Sequence, residues 1–299
     1  MIKILIDCFG GDHSPQAPVA GALAALAKNP DLYLILTGDE ARLKQELSGK
    51  DYDTGRLEIV HAPEIIGCDE KPTDVIRLKR NSSMMKAIIL LRDRDDIAAM
   101  VSTGSTGALV TGALVRLGRI PGVIRPAFCP LLPTMAGGIV GICDSGANPE
   151  VMAAHLRQFA IMASLYLENV YDILRPRTAL LNVGKEAEKG DDTRREAYRL
   201  LQETPSVNFV GNMESRDLLS GAYDLVVADG FSGNVLVKTT EGTAIELLKK
   251  LIAEQVSIYH RSNVVRSEKF SEMLQRAMNA YLNGMLTNEE VIAERILRQ

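Results

Sequence analysis

Short runs of Ile, Leu and Val recur along the chain, each followed by a Gly, Asp or Asn turn and then by a longer segment with helical spacing. They include "IKILID", "DLYLILTGD", "AAMVSTG", "IVGICDSGAN", "TALLNVGKE" and "DLVVADGFSGN". Continuous apolar runs, as opposed to alternating ones, mark strands buried on both faces of a largely parallel sheet. The pattern predicts a doubly wound α/β fold, in which ligands bind beyond the carboxyl ends of the strands. Residues 97–115 carry no charge and are long enough to suggest a membrane span. Gly, Ser and Thr fill their middle, however, which favours a buried strand (Ile97 to Val101), a loop, and a helix from Thr106 or Gly107.

The pattern changes after Thr239. Ala244, Ile245, Leu248, Leu251 and Ile252 recur at helical spacing, as do Phe270, Met273, Leu274, Ala277, Met278, Tyr281, Leu282 and Met285. Two amphipathic helices are expected there, packing on the sheet, on a dimer partner or on a membrane surface. The organisation expected is an α/β catalytic domain over residues 1–240 and a helical region over 241–299.

Composition adds limits. With 299 residues, 46% hydrophobic and 24% charged, the chain is ordinary globular material with room for a large core. A formal charge of -4 provides no general attraction to nucleic acid. Cys8, Cys68, Cys129 and Cys143 show no CxxC spacing and no neighbouring His. They read as reduced, mostly buried thiols of a cytoplasmic protein, with no metal site. The opening "MIKILIDCFGGD" reaches Asp7 and two glycines too soon for a signal peptide and reads as a first strand.

The glycine-bearing turns hold the candidate chemistry. In "DCFGGDHSP", Gly10 and Gly11 allow close approach to an anion or a sharp turn, and Asp12 or Ser14 can cap the next helix. His13 is a base, a phosphate ligand or a turn residue. In "STGSTGA", Ser105, Thr106 and Gly107 form an anion nest at a helix N-terminus, or else a plain helix cap. "CDSGANPE" repeats the scheme, with Asn148-Pro149 starting a helix. "LLNVGKEAEKGDD" ends a strand at Asn182, and its Lys185 and Lys189 lie in a polar turn of a kind that is often merely solvated. "VVADGFSGNVLVKTTEG" approaches the spelling of a P-loop, but Val237 stands where Gly must precede the Lys.

These segments, with "RLGRIPGVIRPA", "LLPT" and "NFVGNMESRDLL", stand in the order and spacing of the PlsX family, which the chain resembles from Met1 to about Leu251. Members are phosphate acyltransferases that use acyl-carrier-protein thioesters to make acyl phosphates for phospholipid synthesis. The resemblance implies a three-layer α/β/α fold of the isocitrate/isopropylmalate dehydrogenase type and a cytoplasmic homodimer in peripheral contact with anionic membrane. It implies no cofactor, and it implies catalytic roles for Lys189 and Asn234. Cys8-Phe9 replace the family's Ala-Met, Ser105 replaces a common Asn, and the family's C-terminal "YGGAPLLG" block is not found.

Attack of phosphate on a thioester expels a thiol of reference pKa about 8.5, so anion docking and oxyanion stabilisation matter more than a strong acid. On this scheme the turns at Gly10-Gly11 and Ser105-Thr106-Gly107 hold phosphate oxygens, with Asp7, Asp12, His13, Asn148 and Asn182 completing the binding set. Lys189 neutralises developing charge. Gly230 and Gly233 form a turn that projects Asn234 toward the oxyanion, and Asp229 fixes that turn or orients Lys189. A coenzyme A-dependent phosphate acyltransferase shares this chemistry. A non-catalytic relative that binds carrier protein or membrane is a further alternative. A dehydrogenase would need a nucleotide site and a carboxylate cluster, and neither is recognisable.

Overall fold

The computed structural model describes residues 1–262. These contain strands β1 (Ile2–Asp7), β2 (Leu32–Gly38), β3 (Leu57–His61), β4 (Ile97–Ser102), β5 (Leu131–Pro133), β6 (Ile139–Cys143), β7 (Arg177–Leu181), β8 (Asn208–Met213) and β9 (Leu225–Val227). The helices are α1 (Gln16–Lys28), α2 (Glu40–Leu47), α3 (Pro72–Leu78), α4 (Ser83–Asp93), α5 (Thr106–Arg116), α6 (Ala153–Tyr171), α7 (Asp192–Gln202) and α8 (Gly230–Ser262). Two compact units result, Met1–Gly233 and a second that begins at Asn234.

The α/β class follows the apolar runs, but the strands divide between two sheets. The first has the order β3-β2-β1-β4 and is wholly parallel. Its chain winds from β1 outward to β3 and then returns to the other side of β1. The switch point therefore lies between β1 and β4, where a crevice opens beyond the strand ends. Leu5, Leu34, Ile35 and Leu36 are fully or almost fully buried under flanking helices. The second sheet has the order β5-β6-β9-β7-β8, parallel except for β5. Its central strand β9 is the last in sequence, and Leu225, Val226 and Val227 are completely buried.

Several local expectations are corrected. The Ile97–Val101 run is an edge strand, so only Ile97 is buried and Val101 is 52% exposed. Among the described residues no helix is long and apolar enough to cross a membrane. Neither Asp12 nor Ser14 caps α1; Pro15 occupies the cap position, and Ser14 turns back so that its Oγ accepts from the Gly11 amide at 3.0 Å. Asn148-Pro149 does not open α6, which starts at Ala153, because Asn148 is engaged in the preceding loop. Cys68 is exposed and Cys129 half-buried, so only Cys8 and Cys143 are buried thiols.

The run Ala244 to Ile252 lies in α8, where Ile245, Leu248 and Ile252 are half-buried and Leu251 is exposed. The expected second helix, Phe270 to Met285, lies outside the described residues.

Candidate active site

The first cluster forms at the switch point of the first sheet. Asp7 ends β1 with no exposure, in register with Ser102 at the end of β4. The Ser102 hydroxyl donates to Asp7 Oδ2 at 2.7 Å, and the Phe9 amide donates to Oδ1 at 3.4 Å. Burial raises the Asp7 carboxyl above its ordinary value, against the hydrogen bonds from Ser83, Ser102 and Phe9 that lower it. The same burial, with the Asp7 charge beside it, pushes the Cys8 thiol up to about 12, which leaves no thiolate for nucleophilic attack at neutral pH.

The two glycine turns touch each other. A β-carbon on Gly11 would lie 2.6 Å from the Thr103 carbonyl oxygen, and one on Gly10 would lie 2.6 Å from that of Ile66. Gly10 also has φ +93°, a left-handed conformation that favours glycine. These glycines thus serve loop-to-loop packing. Ser105 caps α5, its Oγ accepting from the Ala108 amide, and leaves other first-turn amides at the N-terminus, beside exposed Thr106 and Gly107. Asp12 and His13 are exposed on the adjoining loop.

The second cluster forms where β6, β9 and β7, adjacent in the second sheet, end side by side. Asp144, fully buried after β6, accepts from the amides of Phe128, Ser145, Ala147 and Asn148 and from Asn148 Nδ2. Asn148 Nδ2 also reaches the Pro126 carbonyl at 2.7 Å. A carboxylate with so many donors organises the whole Asp144–Asn148 loop.

That loop explains "DGFSGN", which is the opening of α8 and not a turn. The Gly230 amide donates to the Asn148 carbonyl at 2.8 Å. A β-carbon on Gly230 would meet Asn148 backbone atoms at 2.7 to 2.8 Å, and one on Gly233 would overlap the Asp144 carbonyl oxygen. Spaced three apart, the two glycines share one helix face and let it lie on the loop backbone. Asn234 follows Gly233 within the same helix. Asp229 caps α8, its Oδ1 accepting from the Ser232 amide at 2.8 Å. Its Oδ2 pairs with Arg194 and not with Lys189, which corrects the orienting role expected of it. Arg194 also pairs with Asp191 at 2.6 Å. This arginine was missed by sequence reasoning because Asp229 and Arg194 are far apart in the chain. The available signal was a buried helix-capping Asp in need of a counter-charge.

Beyond β7, Asn182 Nδ2 donates to the Lys189 carbonyl at 3.0 Å, and Asn212 Nδ2 donates to the Glu186 carbonyl at 2.7 Å. Asn182 is thereby tied to the loop that carries Lys189. Lys185 pairs with Asp217 at 2.7 Å. Lys189 is exposed, its stem lies over Gly184, and among the described residues its ammonium enters no ion pair. Asp7, Gly10, Gly11, Asp12, His13, Ser105, Thr106 and Gly107 are thus brought together at one sheet, and Asn148, Asn182, Lys189, Asp229 and Gly230 at the other. No described hydrogen bond joins the two groups.

The family model described as "Fatty acid synthesis protein" matches residues 2–287. The chain is similar to the phosphate acyltransferase of Desulforamulus reducens, 43% identical over 275 residues, covering 92% of this chain and 80% of that protein. It is also similar to that of Geobacillus thermodenitrificans, 44% identical over 260 residues, covering 86% and 77%. In fold it is similar to a phosphotransacetylase from Streptococcus pyogenes, with TM-score 0.59, 18% identity, and 81% and 82% coverage. It is likewise similar to the EutD phosphotransacetylase from Staphylococcus aureus, with TM-score 0.58, 17% identity and the same coverage.

Proposed function

The chain belongs to the PlsX family of phosphate acyltransferases, and on that premise we propose that it takes its acyl group from an acyl-carrier-protein thioester. The enzyme transfers an acyl group to phosphate, in fatty acid and phospholipid synthesis. A phosphate oxygen attacks the thioester carbonyl, the carbon–sulfur bond breaks, and the carrier leaves as its thiolate.

The observation that carries our assignment of roles is the contrast between the two lysines of one loop. Lys185 is neutralised by Asp217, whereas Lys189, on a loop pinned through Asn182 and Asn212, presents an ammonium with no ion-pair partner among the described residues. We assign Lys189 to neutralising the charge that develops in the transition state, and the Asn234 amide to donating to the oxyanion. Phosphate is assigned to the amides and hydroxyls around Ser105-Thr106-Gly107 and the Gly10–His13 turn, where a helix N-terminus favours anions.

The test is direct. Purified chain incubated with acyl-carrier-protein thioester and inorganic phosphate should yield acyl phosphate by mass spectrometry. A coenzyme A thioester runs in parallel, and faster turnover of that donor would overturn the carrier assignment. We further propose a cytoplasmic homodimer in which residues 241–299 form a helical region that contacts the dimer partner, an anionic membrane surface or both. Co-sedimentation with anionic vesicles, weakened by salt, tests the membrane contact, and absence of binding at low salt would remove it.

A further inference from the structure

We propose that Cys129 and Cys143 are a redox-active dithiol, a modification site that closes to an intramolecular disulfide when the folded chain meets a small organic disulfide. The β5–β6 register pairs Leu131 with Gly141 and Leu132 with Val140. Beyond the ladder, the Ile142 amide donates to the Pro130 carbonyl at 3.0 Å. The same register sets Cys129 directly opposite Cys143. Since Pro130 and Ile142 occupy a hydrogen-bonded position, the two cysteines occupy the next non-hydrogen-bonded one. Facing α-carbons there approach to about 4.5 Å, inside the span of roughly 4.4–6.8 Å that disulfides bridge.

Both side chains lie on one face of the ladder. Gly141, two residues before Cys143 and so on its side of the strand, lacks a β-carbon, and one built there would lie 3.1 Å from Cys129 Sγ. The missing atom leaves room for the Cys129 sulfur to lean toward its partner. The two thiols share one apolar cluster, Cys143 buried within it and Cys129 half-buried at its margin. The neighbouring Cys143 thiol holds Cys129 below its ordinary range. The neighbouring Cys129, with burial added, raises Cys143 well above its own.

This asymmetry orders the steps. Half-buried Cys129 attacks one sulfur of the organic disulfide as thiolate, forming a mixed disulfide and releasing one thiol. Cys143 then loses its proton and attacks the Cys129 sulfur, releasing the second thiol. The protein dithiol is oxidised and the organic disulfide is reduced to two thiols. The new bond would brace the Asp144 loop, because it joins the residues next to Phe128 and Asp144, whose amide and carboxylate already meet at 2.8 Å.

The experiment uses the full chain carrying Cys68→Ser, which removes the exposed thiol, equilibrated with oxidised glutathione, acid-trapped and digested. Of its three remaining thiols two should become unreactive in denaturant, the intact mass should fall by two hydrogens, and the cross-linked peptides should contain Cys129 and Cys143. Reductant should restore both. Adding Cys143→Ser should halt the reaction at a glutathione adduct on Cys129. If that variant does not fold, Cys129→Ser serves instead and should lose no thiol. Three persistent thiols, a bridge involving Cys8, or a stable adduct in the chain that retains both cysteines would overturn the proposal.

Discussion

Lys185 and Lys189 share a loop, yet among the described residues only Lys185 has a counter-charge. Lys189→Ala should therefore lower turnover by a factor on the order of 10², the scale of a lost electrostatic stabiliser, while leaving the melting temperature unchanged. Lys185→Ala should do neither, and kinetics on both variants check the contrast. If Asn234 donates to the oxyanion, Asn234→Asp should be slower than Asn234→Ala, because it sets a negative charge beside the one that forms. A faster Asp variant would end that role. Arg194→Ala strips the counter-charge from buried Asp229, and denaturant unfolding should show a loss of roughly 2 kcal/mol. Of these residues the two lysines were legible from "GKEAEKG", but their different partners were not. Ion pairs such as Lys185–Asp217 and Asp229–Arg194 depend on which strand ends become neighbours, and the local pattern does not encode that.

At the scale of elements, the first turn of α8 was legible as a glycine feature and misread as a free turn. Local spelling shows that a β-carbon is unwelcome, but not that the forbidden space is filled by the Asp144–Asn148 backbone. Gly233→Ala should cost roughly 1–3 kcal/mol by overpacking against Asp144. Gly242→Ala, in the same helix with nothing within 4 Å, should stabilise by about 0.5–1 kcal/mol. Thermal unfolding of the two variants tests this opposition of sign. The β1 terminus yields a pH prediction. A buried acid with a raised pKa holds its proton more readily folded than unfolded, so its contribution to stability falls as pH rises from near 3.8 through the raised value. Asp7→Asn cannot ionise, so the stability of the variant minus that of wild type should grow with pH across that window. A flat difference would show that Asp7 does not titrate differently in the folded chain.

At the scale of the molecule, the alternation of apolar runs and helical segments was enough to read a parallel α/β fold with ligand loops at the carboxyl ends. The division into two sheets was not readable, because a strand such as "LVV" carries no mark of which neighbours it will take. The placement of β9 between β6 and β7 has a consequence for synthesis. The first sheet is complete once Ser102 has left the ribosome. The second cannot close until Val227 emerges, and between Cys143 and Leu225 translation at roughly 5–20 residues per second lasts several seconds. Over that interval β6, and β7 once Leu181 has been made, present their inner edges without a partner, in the state most open to mispairing with another nascent chain. A ribosome stalled before Leu225 should therefore hold a protease-resistant first sheet and a second sheet still open to cleavage.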